Sequence, residues 1–207
     1  MVVSVTQAPV RSGRLRRGFI SALGLIGNLA LFIGIALIGG IGTSWYMIEV
    51  GTRLTTVWSG PWVSWTAAAT PDADPYTRAR AARHGSLPLS GNIARTFEAR
   101  TDSTGQRLHS SCDYAVVGQG LEDGWWTIAV YDDNGHLIPN PADRYAFNSS
   151  TIARSADGSF VVTLARDARP GNWLPTGGAG RITLVLTLLE SAESTAGLPD
   201  IQRVACR

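Results

Sequence analysis

Arg181-Ile182-Thr183-Leu184-Val185-Leu186-Thr187-Leu188-Leu189-Glu190 alternates with a period of two: Ile182, Leu184, Leu186 and Leu188 fall on one side, Thr183, Val185 and Thr187 on the other. Successive side chains of a strand point to opposite faces, so the run reads as a strand with one strongly apolar face. It is the longest such run in the chain. Shorter ones surround it. Trp125 to Tyr131 (WWTIAVY) places Trp126, Ile128 and Val130 on one face, and Asp133-Asn134-Gly135 turns it as a hairpin into His136-Leu137-Ile138. Asp157-Gly158 is a turn ahead of Phe160, Val162 and Leu164, which point one way. Thr96 to Arg100 alternates, Asp102-Ser103-Thr104-Gly105 is a turn, and Cys112–Val117 and Ser149–Arg154 read as extended. Many short strands punctuated by Gly, Pro, Asn and Asp predict a mainly β domain, an antiparallel jelly-roll-like β-sandwich. One short helix precedes it. Asp74 can cap its start, Pro75 suits its first position, and Gly85 stops it about three turns on. Arg78, Arg80 and Arg83 are expected on its solvated face, with Arg78 a candidate clamp for a carboxylate on a ligand or partner.

At the other end of the chain, Gly18 to Ile48 holds 31 residues without a charge. About 20 apolar residues suffice to cross the hydrocarbon core of a bilayer, so the run predicts one N-terminal transmembrane helix. Arg11, Arg14, Arg16 and Arg17 precede it with no acidic residue among them. A cationic flank stays cytoplasmic, which places everything after Ile48 across the membrane. The start Arg16-Arg17-Gly18-Phe19-Ile20 resembles a twin-arginine export signal, but the apolar run is longer than the 7–15 residues of a signal-peptide core. The small-residue run Ala67-Ala68-Ala69 lies too far on to be its cleavage site, and Trp45 and Tyr46 sit where aromatic side chains hold a retained helix at the interface. A retained anchor is therefore expected. Small residues recur four apart in Gly18/Ala22, Ala30/Gly34 and Ala36/Gly40, spacing that lets a second helix approach.

The expected organisation is a cytoplasmic basic tail over 1–17, the transmembrane helix over 18–48, a juxtamembrane linker over 49–71 and an extracytoplasmic β domain over 72–207. Trp58, Trp62 and Trp65 in the linker repeat at helical spacing, but Gly60-Pro61 interrupts a helix there. They are expected along the lipid headgroup layer or packed under the domain. The chain has 18 basic and 16 acidic residues, and once the tail's four arginines are set aside the rest carries 14 basic against 16 acidic. The basic balance thus belongs to the anchor, and no basic stripe marks the domain as a nucleic-acid binder. Both cysteines, Cys112 and Cys206, follow the span. On an oxidising side with none left over, a Cys112–Cys206 disulfide is expected.

Asp74-Pro75-Tyr76-Thr77-Arg78-Ala79, then Cys112-Asp113-Tyr114, Trp125-Trp126-Thr127, Asn172-Trp173-Leu174-Pro175 and Leu198-Pro199 follow one another in an order that resembles the domain of unknown function 1214 family over about residues 72–207. Where relatives often carry an Arg-aromatic pair with a following proline after the last long strand, this chain reads Leu186-Thr187-Leu188-Leu189-Glu190. The resemblance implies a jelly-roll-like β fold. It also implies a separated half of a longer arrangement, in which this domain follows another, the domain of unknown function 1254. It brings no catalytic residues.

Chemical motifs are sparse. His84, His109 and His136 lie far apart, and no H-x-H pair of the cupin type occurs; a metal site would have to gather His109, Asp113 and His136 from neighbouring strands. There is no G-x-S-x-G elbow, no P-loop and no dinucleotide fingerprint. His109 stands three residues before Cys112, an offset that puts the two on opposite faces of a strand. A carboxylate pair for hydrolysis would have to come from Glu98, Asp102, Asp113, Glu122 and Asp123. No cofactor is expected, and no metal ligands are assigned. Trp125, Trp126 and Trp173 are the remaining candidate contact residues. Of two adjacent tryptophans on a strand one faces the core and the other lies outside it, available to a partner's pocket or a sugar ring. The functional expectation is a membrane-anchored, periplasm-facing envelope domain of a bacterial inner membrane. It would act by docking with a protein partner, of the 1254 type in the simplest case; a hydrolase or a saccharide- or small-ligand-binding module is the alternative.

Overall fold

The computed structural model of the chain describes residues 12–51, 55–65, 70, 72–85, 89, 93–119, 121, 124–189 and 197–207, with the backbone alone for 12–22. Arg11, the Ala67-Ala68-Ala69 run, Glu122 and Asp123, and the side-chain spacing of Gly18 and Ala22, lie outside what it describes. The chain falls into two units divided between Met47 and Ile48. The first is helix α1, Ser12–Glu49, whose last two residues belong to the second unit. Its portion from Leu23 to Glu49 is long and apolar enough to cross a membrane, a property it shares with signal sequences. Large apolar side chains along it, Leu25, Phe32 and Ile38 among them, are exposed.

Among its described residues the second unit has ten strands and one short helix. In chain order these are β1 (Thr56–Ser59), β2 (Trp62–Trp65), α2 (Pro75–Arg83), β3 (Ala94–Ala99), β4 (Cys112–Gly118), β5 (Trp126–Asp132), β6 (Ala146–Asn148), β7 (Phe160–Ala165), β8 (Asn172–Pro175), β9 (Ile182–Leu189) and β10 (Asp200–Cys206). They form two sheets, one ordered β1-β2-β3-β9-β5-β6 and the other β10-β4-β7-β8. Strand β9, the alternating run, lies in the middle of the larger sheet with antiparallel neighbours β3 and β5. Ile182, Leu184, Leu186 and Leu188 are buried as the alternation requires. Phe97, Leu186, Ile128 and Phe147 stand in register across four strands on that same face. From the smaller sheet Tyr114, Val116, Phe160, Val162, Leu164 and Ile201 join the same core. Trp126 and Phe160 stack across the two layers with ring centroids 4.9 Å apart. Two sheets sharing one apolar core make the fold a β-sandwich.

Four local expectations are corrected. Residues 56–65, expected inside the juxtamembrane linker, are instead a hairpin on the two-residue turn Gly60-Pro61, with Gly60 at φ +57, at the edge of the large sheet, and Trp62 packs under the domain, one of the two places expected for it. Trp62 is 1% exposed and its indole N–H donates to the Pro199 carbonyl at 2.7 Å. Strand β8 runs parallel to β7, so the smaller sheet is mixed. Alternation carries no information about strand direction. The first residue of β8 is tied in place by its side chain: the Asn172 amide donates to the carbonyls of Ala153 and Val161 while its oxygen accepts from the Ala153 N–H. His136–Ile138 makes a single bridge, Leu137 to Tyr131, and no strand. Ser149–Arg154 forms no strand: Ser149–Thr151 is a turn, in which the Asn148 side-chain oxygen accepts from the N–H groups of both Ser150 and Thr151, and Ile152–Arg154 is irregular.

Helix α2 follows its sequence signals. The Asp74 carboxylate accepts from the N–H groups of Tyr76 and Thr77, Pro75 occupies the first turn, and Gly85 follows at φ +62. The Cys112–Cys206 disulfide is present and joins register partners on β4 and β10.

Candidate functional site

Of the five acidic residues offered for a catalytic pair, the three that are described, Glu98, Asp102 and Asp113, are each engaged by an arginine. Glu98 on β3 accepts from Arg80 at 3.1 Å and from Arg100 at 3.3 Å. Asp113 on β4 is paired with Arg169 at 2.5 Å. Asp102, 1% exposed, faces Arg203 at 2.8 Å. These carboxylates do not converge on one another among the described residues. They stabilise folded elements.

Asp102 shows this best. One of its oxygens accepts from the N–H groups of Thr104 and Gln106 and from the Thr104 hydroxyl, which closes the turn read from the sequence. The other faces Arg203, whose guanidinium also lies 5.7 Å above the Tyr114 ring. Burial alone pushes the Asp102 carboxyl up, but the bonds from Thr104 and Gln106 and the charge of Arg203 outweigh it, and the pKa falls below the usual carboxylate value. A depressed folded-state pKa contributes stability that is present above the unfolded value of about 3.9 and is lost as pH falls through the folded one. Asp102→Asn is therefore expected to cost about 2 kcal/mol near neutral pH and much less in acid. Urea unfolding of both proteins at pH 7 and pH 3 measures this, and an equal cost at both pH values would contradict it.

Arg80 also lies elsewhere than its sequence predicts. Expected on a solvated face with Arg78 and Arg83, it is 7% exposed; the other two are exposed as read. It donates to Glu98 and to the backbone carbonyls of Glu49 (3.0 Å) and Ile48 (3.4 Å), and its guanidinium lies 4.5 Å from the Trp65 ring centre. Burial is the largest influence on its pKa and pushes it down, against the pull of Glu98; an arginine keeps its charge regardless. The sequence signal was weak: Thr77 and Arg80, three apart, are the buried positions of α2. The nearby His84 ring is exposed, and its pKa is pushed down first by partial burial and then by the Arg80 charge.

The three histidines stay apart. His109 is hydrogen-bonded to Ser111, His136 faces Asp132 at 3.7 Å, and Asp113 faces Arg169 instead of either. Among the described residues no three metal-capable side chains gather. A cleft of about 330 Å³ opens between the β1–β2 turn and residues 197–200, with Trp62 and Ser103 in its walls. The Ser103 hydroxyl donates to the Asp200 carboxylate and accepts from the Ile201 N–H, and no histidine lines the cleft. The hydroxyl is thus held as a turn-to-strand tie.

The aromatic candidates separate cleanly. Trp126 is core: 1% exposed, with its N–H on the Leu121 carbonyl. As a contact residue it is excluded by burial. Trp173 is half-buried on the edge strand β8, its N–H donated to the Ala165 carbonyl at 3.0 Å. Trp125 is 43% exposed, although the Leu189 N–H fixes its carbonyl at 2.8 Å. Its backbone is tied to β9 while its ring lies at the surface.

Comparison with known proteins places this architecture. Residues 94–193 match the model of a family described as a protein of unknown function, DUF1214. No curated protein matches the chain. A crystal structure of the VPA0106 protein from Vibrio parahaemolyticus superimposes with a TM-score of 0.57 at 18% identity, covering 83% of this chain and 44% of that one. A putative uncharacterized protein from Burkholderia cenocepacia aligns with a TM-score of 0.42 at 16% identity, over 69% of this chain and 46% of that one. The chain therefore spans less than half the length of the solved structures it matches.

Proposed function

We propose that this DUF1214 domain is a membrane-tethered interaction subunit, held by α1 as a retained single-pass anchor and docking through its β-sandwich with a protein partner. Trp125 carries the reading. Tryptophan is enriched among the residues that fill pockets in protein interfaces, and this one is exposed on a backbone already tied to β9. The titratable side chains give matching support: Glu98, Asp102 and Asp113 are committed to arginines and the histidines are dispersed. The resemblance to relatives in which this domain follows a 1254-type domain names the simplest partner class.

The compartment in this proposal is the periplasmic face of a bacterial inner membrane. Arginines precede the apolar helix, as the positive-inside rule requires of a cytoplasmic N-terminus. The disulfide suits an oxidising compartment. A reporter fused after Arg207 should be active only if it functions outside the cytoplasm; activity of a cytoplasm-only reporter would overturn the orientation. Extraction in mild detergent should yield a complex of defined mass with one second protein. A lone chain at micromolar concentration would sink the docking reading. The second reading, a saccharide-binding module, rests on the same exposed indole, and binding of a defined oligosaccharide lost in Trp125→Ala would favour it.

A further inference from the structure

The hairpin β1–β2 spends its three tryptophans in three ways. Trp62 is core, Trp65 lies under the Arg80 guanidinium, and Trp58 is left 56% exposed on the outermost strand of the large sheet, beside Val57 at 43%. An exposed edge strand with large apolar side chains is a liability in water and is ordinarily covered. The Trp58 indole N–H is already satisfied by the Thr56 hydroxyl at 2.8 Å, so the ring enters a less polar layer without an orphaned donor. Trp58 follows the end of α1 at Glu49 by nine residues, a reach of at most about 30 Å. Between Val50 and Pro71 the chain has one cation, Arg53, and no acid, so nothing in this segment is repelled by an anionic leaflet.

We propose that Val57 and Trp58 seat in the lipid headgroup layer of the membrane that α1 crosses, where tryptophan is favoured. The hairpin is then a second point of attachment for the domain. This rests on the anchor reading above, and the test separates the two.

The native cysteines are paired, so single labels can be introduced into the full chain at Leu31→Cys in α1, Ser59→Cys beside Trp58 and Leu137→Cys at a distant exposed site. The labelled proteins are reconstituted in phosphatidylcholine–phosphatidylglycerol vesicles, and an environment-sensitive dye is quenched by lipids spin-labelled at shallow or deep positions. Deep quenching is expected at 31. Shallow quenching at 59 should exceed that at 137 by about twofold or more and fall toward it when Trp58→Ser is added, as interfacial seating of an indole requires. If 31 is quenched and 59 matches 137, this inference is wrong and the anchor stands; Trp58 would then await a protein. If 31 is not quenched, the anchor reading fails and takes this inference with it.

Discussion

Trp126→Ala should unfold at markedly lower denaturant than the unaltered chain, with a loss of about 4 kcal/mol. Three terms act together. The side chain is 1% exposed, so its truncation leaves a cavity between the two sheets. It removes the stacking on Phe160, the contact that crosses the core. It also removes the indole N–H from the Leu121 carbonyl, which keeps only the longer bond from Arg154 at 3.3 Å. For a unit of this size the loss corresponds to a fall in Tm of about 10 °C. Trp125→Ala, one residue earlier, should change stability by no more than about 0.5 kcal/mol, because its ring is exposed. Urea titration of the full chain in detergent compares the pair. Equal losses would mean that the buried and exposed members of this pair are assigned wrongly.

Cys206→Ser should cost about as much, by a different route. The disulfide closes a loop with a sequence separation of 94, and in the chain-entropy account a loop of about 100 residues restricts the unfolded state by nearly 5 kcal/mol. Measured losses tend to be smaller, so about 3–4 kcal/mol is expected. Fraying should be local before it is global. Strand β10 is an edge strand with Ile201 as its one buried residue, and the bridge sits at its far end. Hydrogen exchange should therefore rise first at Arg203–Arg207. Unchanged stability, or two free thiols in protein purified without reductant, would contradict this.

The parts of the fold legible in the sequence were those set by period-two alternation and by turn chemistry. Strand β9, the buried face of β5, the Asp102 turn and the capped α2 all rest on rules local to about ten residues. What local pattern lacks is direction, pairing and burial of polar groups. The parallel β7–β8 pair brings Asn172 to Ala153, 19 residues away, a contact no local pattern announces. Trp62 reads equally as a headgroup tryptophan or one packed under the domain, and the choice is made by Pro199, 137 residues on, whose carbonyl accepts its N–H. Arg80 looked solvated because its partner, Glu98, sits on a strand that helical periodicity cannot see. For the candidate site the sequence narrowed the choice to a few tryptophans, and only burial separated Trp125 from Trp126. Function was the least legible, since docking surfaces carry no fixed spacing of reactive groups.

The docking claim is tested most directly by a photo-cross-linking amino acid placed at Trp125 in the intact protein in its native membrane. A match at Val161, equally exposed but on β7 of the smaller sheet, serves as control. The account predicts one dominant adduct to a single second protein from position 125 and little from 161. No adduct at 125, or the same products from both positions, would contradict it.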